Sequence, residues 1–187
     1  ALAEAGRRWD ALLPGLFAAV QRNTSRGNDD LALYEAGRVF FRAVGGAAPL
    51  PGVARRPSEG ERAAIEAALP VQPRHLAAVL TGDWRPAGWQ GDADRAGWQH
   101  AIAFAEVAAD AVGVTLTRTA ASVAPWHPGR CAALSVGERL VGYAGELHPS
   151  VCRAFGLPAR AAAVELDLDL LVALHPGAGT VAPVSAH

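Results

Sequence analysis

The stretch from Cys131 to Leu147, CAALSV, GE, RLVGYAGEL, leaves the chain least freedom. Two apolar runs flank Gly137-Glu138, and a glycine in the first place of a two-residue link is the pattern of a type II′ β-hairpin turn. A link that short cannot carry a parallel crossover, so the two runs pair antiparallel. Any fold open to this sequence contains an antiparallel sheet with this hairpin in it.

The rest of the chain supplies partners for that sheet. Residues 30–41 (DLALYEAGRVFF) read as a strand from the period-two spacing of Leu31, Leu33, Val39 and Phe41, with Gly37 marking a bulge or a close approach. Residues 75–82 (HLAAVLTG) read as a buried strand, and 114–121, 131–136, 139–147 and 161–168 as further strands. Residues 11–26 form a helix with Pro14 in its first turn, where a missing N–H costs nothing, and Gly27 just past its end. Residues 97–112 form the clearest helix, with Trp98, Ile102, Ala105, Ala109 and Val112 as one stripe and Gly113 as its stop. Pro149 to Phe155 is a short helix ended by Gly156. Residues 42–73 are an insertion whose Ser58 and Glu61 form the capping box of a short surface helix, and DWRPAGWQGDADRAG (83–97) reads as a loop. Helices and strands that follow one another without a βαβ alternation make an α+β protein, an antiparallel β-sheet flanked by helices, in a single domain over 1–187.

Composition narrows the function. Of 187 residues, 51% are hydrophobic, enough to bury a core without disulfides or metal, and two cysteines point to reduced thiols in a cytoplasmic protein. No run of about 20 apolar residues could span a bilayer, so no membrane partner is expected. A net charge of -1 argues against a strong nucleic-acid footprint. All 17 Lys/Arg positions are arginine, which reads as the codon bias of a GC-rich genome, and methionine is absent even at position 1, so the chain is expected to be a piece of something longer.

One repeat raises a chemical question. His127-Pro128-Gly129-Arg130-Cys131 is echoed by His148-Pro149-Ser150-Val151-Cys152, and together these hold both cysteines, so His127, Cys131, His148 and Cys152 are candidate zinc ligands. The prolines oppose it. A His and a Cys four apart converge best on one helix, and a following proline keeps each histidine out of the helical region. Buried thiols are the alternative reading. No Gly-rich phosphate loop with Lys-Ser/Thr and no Gly-x-Ser-x-Gly elbow occurs. Glu165, Asp167 and Asp169 alternate along the last strand and read as its solvated face.

Several segments, taken together and in order, resemble the bacterial phenylalanyl-tRNA synthetase beta subunit in its synthetase-like core. LLPGLFAAVQRNTSRGNDDLALYEAGRVFF (12–41) is similar to that family's Leu-Leu-Pro-Gly-Leu helix, turn and Phe-Glu-x-Gly-Arg-Val-Phe strand; Leu13, Pro14, Gly15, Glu35, Gly37 and Arg38 carry the match. VLTGDW (79–84) and VELDLDLL (164–171) resemble two more strands. The most specific stretch runs from His127, Pro128, Gly129 and Arg130 through the hairpin to Gly145, Glu146, Leu147, His148 and Pro149. Arg8-Trp9-Asp10-Ala11 departs from the family's Arg-Thr-Ser before Leu-Leu-Pro-Gly, and WQHAIAFAE (98–106) replaces an Asp-x-Lys-Gly that many members carry.

The resemblance implies the fold of a class II aminoacyl-tRNA synthetase catalytic core in an inactive version. It further implies a structural and subunit-interface role in an alpha2-beta2 ligase that joins phenylalanine to tRNA with ATP and magnesium. The signature residues are then structural, this domain holds no cofactor or catalytic residue, the alpha subunit is the partner, and tRNA is met by other modules. Residues 174–187 would lead toward an anticodon-binding domain. Arg38 lies nearest to a class II motif arginine, and without the Gly-rich motif ending in arginine it is expected to be an ion-pair partner. The alternatives are the zinc protein above and a small RNA-binding module.

Overall fold

The computed structural model of the protein describes residues 11–41 and 50–177. Along the chain lie α1 (Leu13–Thr24), β1 (Leu31–Arg38), α2 (Glu59–Ala68), β2 (Arg74–Thr81), β3 (Asp83–Arg85), β4 (Asp94–Arg95), α3 (Trp98–Val112), β5 (Thr117–Ala120), β6 (Trp126–Val136), β7 (Arg139–Leu147), α4 (Pro149–Phe155), β8 (Ala162–Asp167) and α5 (Leu168–Ala173). Six strands form one sheet in the order β1-β2-β8-β7-β6-β5, with every neighbouring pair antiparallel. The expected α+β architecture is present. At the hairpin Val136 faces Arg139 across the turn, Gly137 takes φ +57° and Glu138 keeps a negative φ, which is type II′ rather than I′.

Both faces of the central strands are covered, and the strands' period of two sorts side chains between them. In β2, Ala77 and Val79 join α1 and α4 in one core with Leu16, Phe17, Val20, Trp126 and Leu147. Ala78 and Leu80 join α3 and α5 in the other, with Leu134, Val164, Leu166 and Leu171. Each large apolar side chain taken fully from water contributes roughly 1.5–3 kcal/mol, so the two cores hold the sheet between helices.

Several elements differ from the sequence expectation, each for a local reason. Gly37 is a close approach and no bulge: β1 pairs with β2 without a break from Leu31 to Arg38, and a Cβ at Gly37 would stand 3.3 Å from Leu12 Cδ2. On α3 the buried line is Ala101, Ala105 and Ala109, and Trp98 remains 45% exposed. Three residues along a helix leave Trp98 about 60° round from Ala101, off the line that touches the sheet. The 83–97 loop contains a small two-stranded sheet, β3 with β4, closed by reciprocal hydrogen bonds between Gly88 and Gly91. β6 begins at Trp126, five residues before Cys131. β8 stops at Asp167, whose carboxylate accepts the Leu170 N–H and starts α5.

In the insertion, Ser58 caps α2 and Glu61 returns the bond to the Ser58 N–H, the expected capping box, and α2 buries none of its residues. The departures at 8–10, residues 42–49 of the insertion, and 178–187 of the expected linker lie outside the described residues.

Candidate functional site

The most specific motif of the sequence is a bulge at the open end of the β6–β7 hairpin. Trp126 pairs with Leu147 and the next pair is Cys131 with Gly145, so His127, Pro128, Gly129 and Arg130 together oppose the single residue Glu146. Extra residues in one strand bend it and redirect its side chains. Three contacts fix the bend: the Trp126 indole donates to Ala163 O at 3.0 Å, His148 N–H donates to Pro125 O at 2.9 Å, and Leu147 N–H donates to Ala161 O at 2.8 Å. Gly145 is required here because a Cβ on it would lie 2.2 Å from Arg130 O.

Trp126 and Leu147 turn into the core beneath α1. Glu146, which pairs with Ala162 of the other core, therefore belongs to the opposite face. Glu146 is taken out of water, its side chain only 5% exposed, and Arg130 Nη1 reaches both of its carboxylate oxygens at 2.7 Å. Arg160 Nε stands 3.6 Å from the same carboxylate. Arg160 takes φ +64°, the one described non-glycine residue at positive φ, a conformation that costs an L-residue about 1 kcal/mol.

The two histidines meet as the hairpin geometry suggests. Their rings stack with centroids 6.1 Å apart and planes 26° apart. Each ring is oriented by the backbone two residues on: His127 Nδ1 accepts the Gly129 N–H at 3.1 Å, and His148 Nδ1 accepts the Ser150 N–H at 3.1 Å, with Ser150 Oγ at 2.6 Å. A backbone N–H can only donate, so each neutral imidazole presents its Nδ1 lone pair inward and carries its proton on Nε2.

The zinc reading finds no support in this geometry. Each imidazole already spends its Nδ1 on a backbone N–H, and no sulfur is placed beside either ring among the described residues. Cys131 and Cys152 are buried free thiols, with burial raising both above the ordinary thiol range, more toward the thiol than the thiolate that zinc requires. Among the described residues no three of His, Cys, Asp and Glu come together as a metal group.

The other half of the signature lies elsewhere, where α1 begins against the sheet. Leu13 is buried, Pro14 occupies the first turn, and Gly15 passes within ordinary contact distance of Glu35, 3.7 Å from a notional Cβ. Glu165 Oε1 accepts the Leu12 N–H at 3.1 Å and the His75 Nδ1–H at 2.9 Å. Arg38 is exposed and donates to Gln72 O at 3.1 Å; among the described residues it has no carboxylate within salt-bridge distance, but its charge helps to lower the Asp169 carboxyl, behind Arg74.

The acidic alternation of the last strand also fails as a solvated face. Glu165 is 11% exposed and paired with His75, Asp167 caps α5, and Asp169 belongs to α5. Asp169 pairs with Arg74, whose backbone N–H and guanidinium hold its carboxyl below the usual range. Sequence patterning missed His75 and Arg160. The partner of His75 lies 90 residues away and only strand pairing joins them, and nothing in the sequence marks a positive φ at an arginine.

The comparisons agree with the motif's specificity. The family described as "Phenylalanyl tRNA synthetase beta chain CLM domain" matches residues 10–168. Phenylalanine–tRNA ligase beta subunits of Cutibacterium acnes and Thermobifida fusca are 55% identical over 175 residues and 52% over 168, covering 94% and 87% of this chain. The chain spans only about a fifth of those curated relatives, 21% and 20%. Among solved structures, a pyrrolysyl-tRNA synthetase from Desulfitobacterium hafniense superposes with TM-score 0.54 over 87% of this chain and 48% of its own, at 12% identity, which makes the fold that of a class II synthetase.

Proposed function

The chain belongs to the phenylalanyl-tRNA synthetase beta chain CLM domain family, and we propose that it serves there as a structural, subunit-contacting domain without amino-acid activation of its own. In this reading the parent beta subunit assembles with an alpha subunit as an alpha2-beta2 ligase in the cytoplasm. The complex joins phenylalanine to its tRNA with ATP and magnesium, the alpha subunit supplies the chemistry, and tRNA is met by other modules.

The use of Arg38 carries the reading. Stabilising the charge that develops on ATP phosphates takes cations fixed at the reacting centre. Arg38, the residue nearest in sequence to a class II motif arginine, instead spends its guanidinium on the Gln72 carbonyl at the exposed end of β1. Where α1 meets the sheet, the polar groups are Glu165 and His75, bonded to each other, and Glu35 beside Gly15, with apolar packing around them. Neither is a cluster of cations fixed for a triphosphate, which supports the reading.

The protein alone is expected to give no phenylalanine-dependent ATP–pyrophosphate exchange, with exchange arising only when the alpha subunit is supplied and the two co-purify. Exchange by the protein unaided would overturn the scaffold role.

A further inference from the structure

β1 is the end strand of the sheet, and its outer edge has no strand beside it among the described residues. Its pairing with β2 runs unbroken from Leu31 to Arg38. Two further bonds, Val39 N–H to Pro73 O and Phe41 N–H to Val71 O, both 3.0 Å, carry the same register onward. Bonded residues alternate along an antiparallel ladder, so the odd-numbered residues turn their N–H and C=O toward β2. Ala32, Tyr34, Ala36, Arg38 and Phe40 therefore turn theirs outward. Open edges are commonly blunted by a proline or a bulge. β1 has neither, and along the same edge Tyr34 and Phe40 stay 71% and 40% exposed.

We propose that this edge is an interaction surface for a second copy of the chain, the two β1 strands pairing antiparallel about a two-fold axis at Ala36. Only the register centred there matches all five outward-facing residues with one another. Ala36 then opposes Ala36 of the second copy, Tyr34 opposes Arg38, and Ala32 opposes Phe40, each unlike pair occurring twice as the symmetry requires.

The side chains agree with the backbone. Arg38 gives Nη1 to Gln72 O, and the rest of its guanidinium meets the ring of Tyr34 across the axis, a cation over an aromatic face. No like charges stand opposite, since Glu35 faces Gly37. Ala32 lines a cavity of about 190 Å³ with Asp30, Leu31, Thr81, Asp83 and Trp84. The Phe40 ring that arrives opposite Ala32 enters that cavity against the Trp84 indole, so an exposed aromatic on each copy is covered by the other. The pairing joins copies of this chain and does not rest on any contact with an alpha subunit.

Sedimentation of the protein over a concentration series tests the pairing, and a monomer–dimer equilibrium is expected. Ala36 is exposed, so Ala36→Lys and Ala36→Glu leave the core untouched, which circular dichroism checks. Either variant alone sets like charges directly opposite and should raise the dimer dissociation constant about tenfold at low salt. An equimolar mixture of the two should restore the dimer, because residue 36 meets itself in this register and in no other. Phe40→Ala and Trp84→Ala should each weaken the dimer, and together no more than either alone, since they remove one contact. A protein that stays monomeric throughout, or a dimer that the mixture does not restore, overturns the proposal. So does a monomer whose binding to the alpha subunit is lost in Ala36→Lys, which gives the edge to that subunit instead.

Discussion

Two carboxylates are drawn into the body of the sheet, Glu165 on the face under α1 and Glu146 on the opposite face, and they are neutralised in different ways. Glu165 meets His75 and the Leu12 N–H, with both side chains about equally covered at 11% and 12% exposure. Glu146 meets Arg130, which buries its end of the pair at the carboxylate and leaves the rest 44% exposed. The first is an internal bond that joins β8, β2 and the start of α1. The second is a clamp closed from the surface by a permanent cation. A covered carboxylate facing an arginine depends on that cation.

Removing Arg130 is therefore the sharpest way to break the comparison. Arg130→Ala leaves Glu146 covered without its main partner, which should cost about 3 kcal/mol, the lower end of the range for a broken buried pair because Arg160 stands near. Glu146→Gln keeps an acceptor for Arg130 and frees two surface arginines to water, at about 1 kcal/mol. Urea unfolding of both variants measures the asymmetry. Equal losses would mean that Glu146 does not depend on Arg130.

The Glu165 corner should respond less and more locally. Glu165→Ala removes the acceptor of the Leu12 N–H and of His75 together, about 2 kcal/mol for two part-buried hydrogen bonds. Hydrogen exchange at the start of α1 should accelerate while the β6–β7 amides keep their protection. If the hairpin amides lose protection to the same extent, the two corners are one cooperative unit and the contrast between them fails.

These two corners also show what a sequence can and cannot convey. The hairpin was legible because its determinants are local: the Gly137 turn fixes the register, and Pro128 and Pro149 keep the histidines extended, so His127 and His148 fall together at its open end. The bulge was not legible, since HPGR reads equally as a loop before a strand, and only the Trp126–Leu147 pair beyond it shows that the strand continues. The α1 corner was half legible. Pro14 and the apolar spacing of α1 mark the helix, but Glu165 looked like one of three alternating acids on a wet strand. Its burial follows from a partner on β2 and from α1 lying over it, both set by tertiary structure. Asp169 left the pattern because Asp167 capped a helix where the sequence suggested one more strand residue.

A smaller contrast is offered by Ser58. Its side chain accepts the Glu61 N–H at the start of α2, a helix that buries nothing. Ser58→Ala should lower the local stability of α2 by about 1 kcal/mol, visible as faster amide exchange over residues 59–68. The global unfolding midpoint should not move. A shifted midpoint would show that α2 is part of the core unit.

Glu61 is the exposed counterpart of Glu146, another carboxylate gripped by an arginine but in water. Arg55 holds both of its oxygens at 2.9 and 2.8 Å, and the Ser58 N–H adds a third bond at 2.8 Å. With the Arg55 bond the largest cause, its carboxyl is lowered from 4.5 to about 2. A lowered folded-state value means that the ionised form is favoured by folding, so the contribution of Glu61 is fully present above 4.5 and fades as pH falls toward about 2. Side-chain NMR should place the Glu61 midpoint near 2, and Arg55→Ala should return it toward 4.5. In 1 M salt the shift should shrink, because an exposed pair is screened within a Debye length of about 3 Å, while the covered Glu146–Arg130 pair should be far less sensitive. A Glu61 midpoint that ignores salt would make the backbone bond from Ser58, rather than Arg55, the group that holds it.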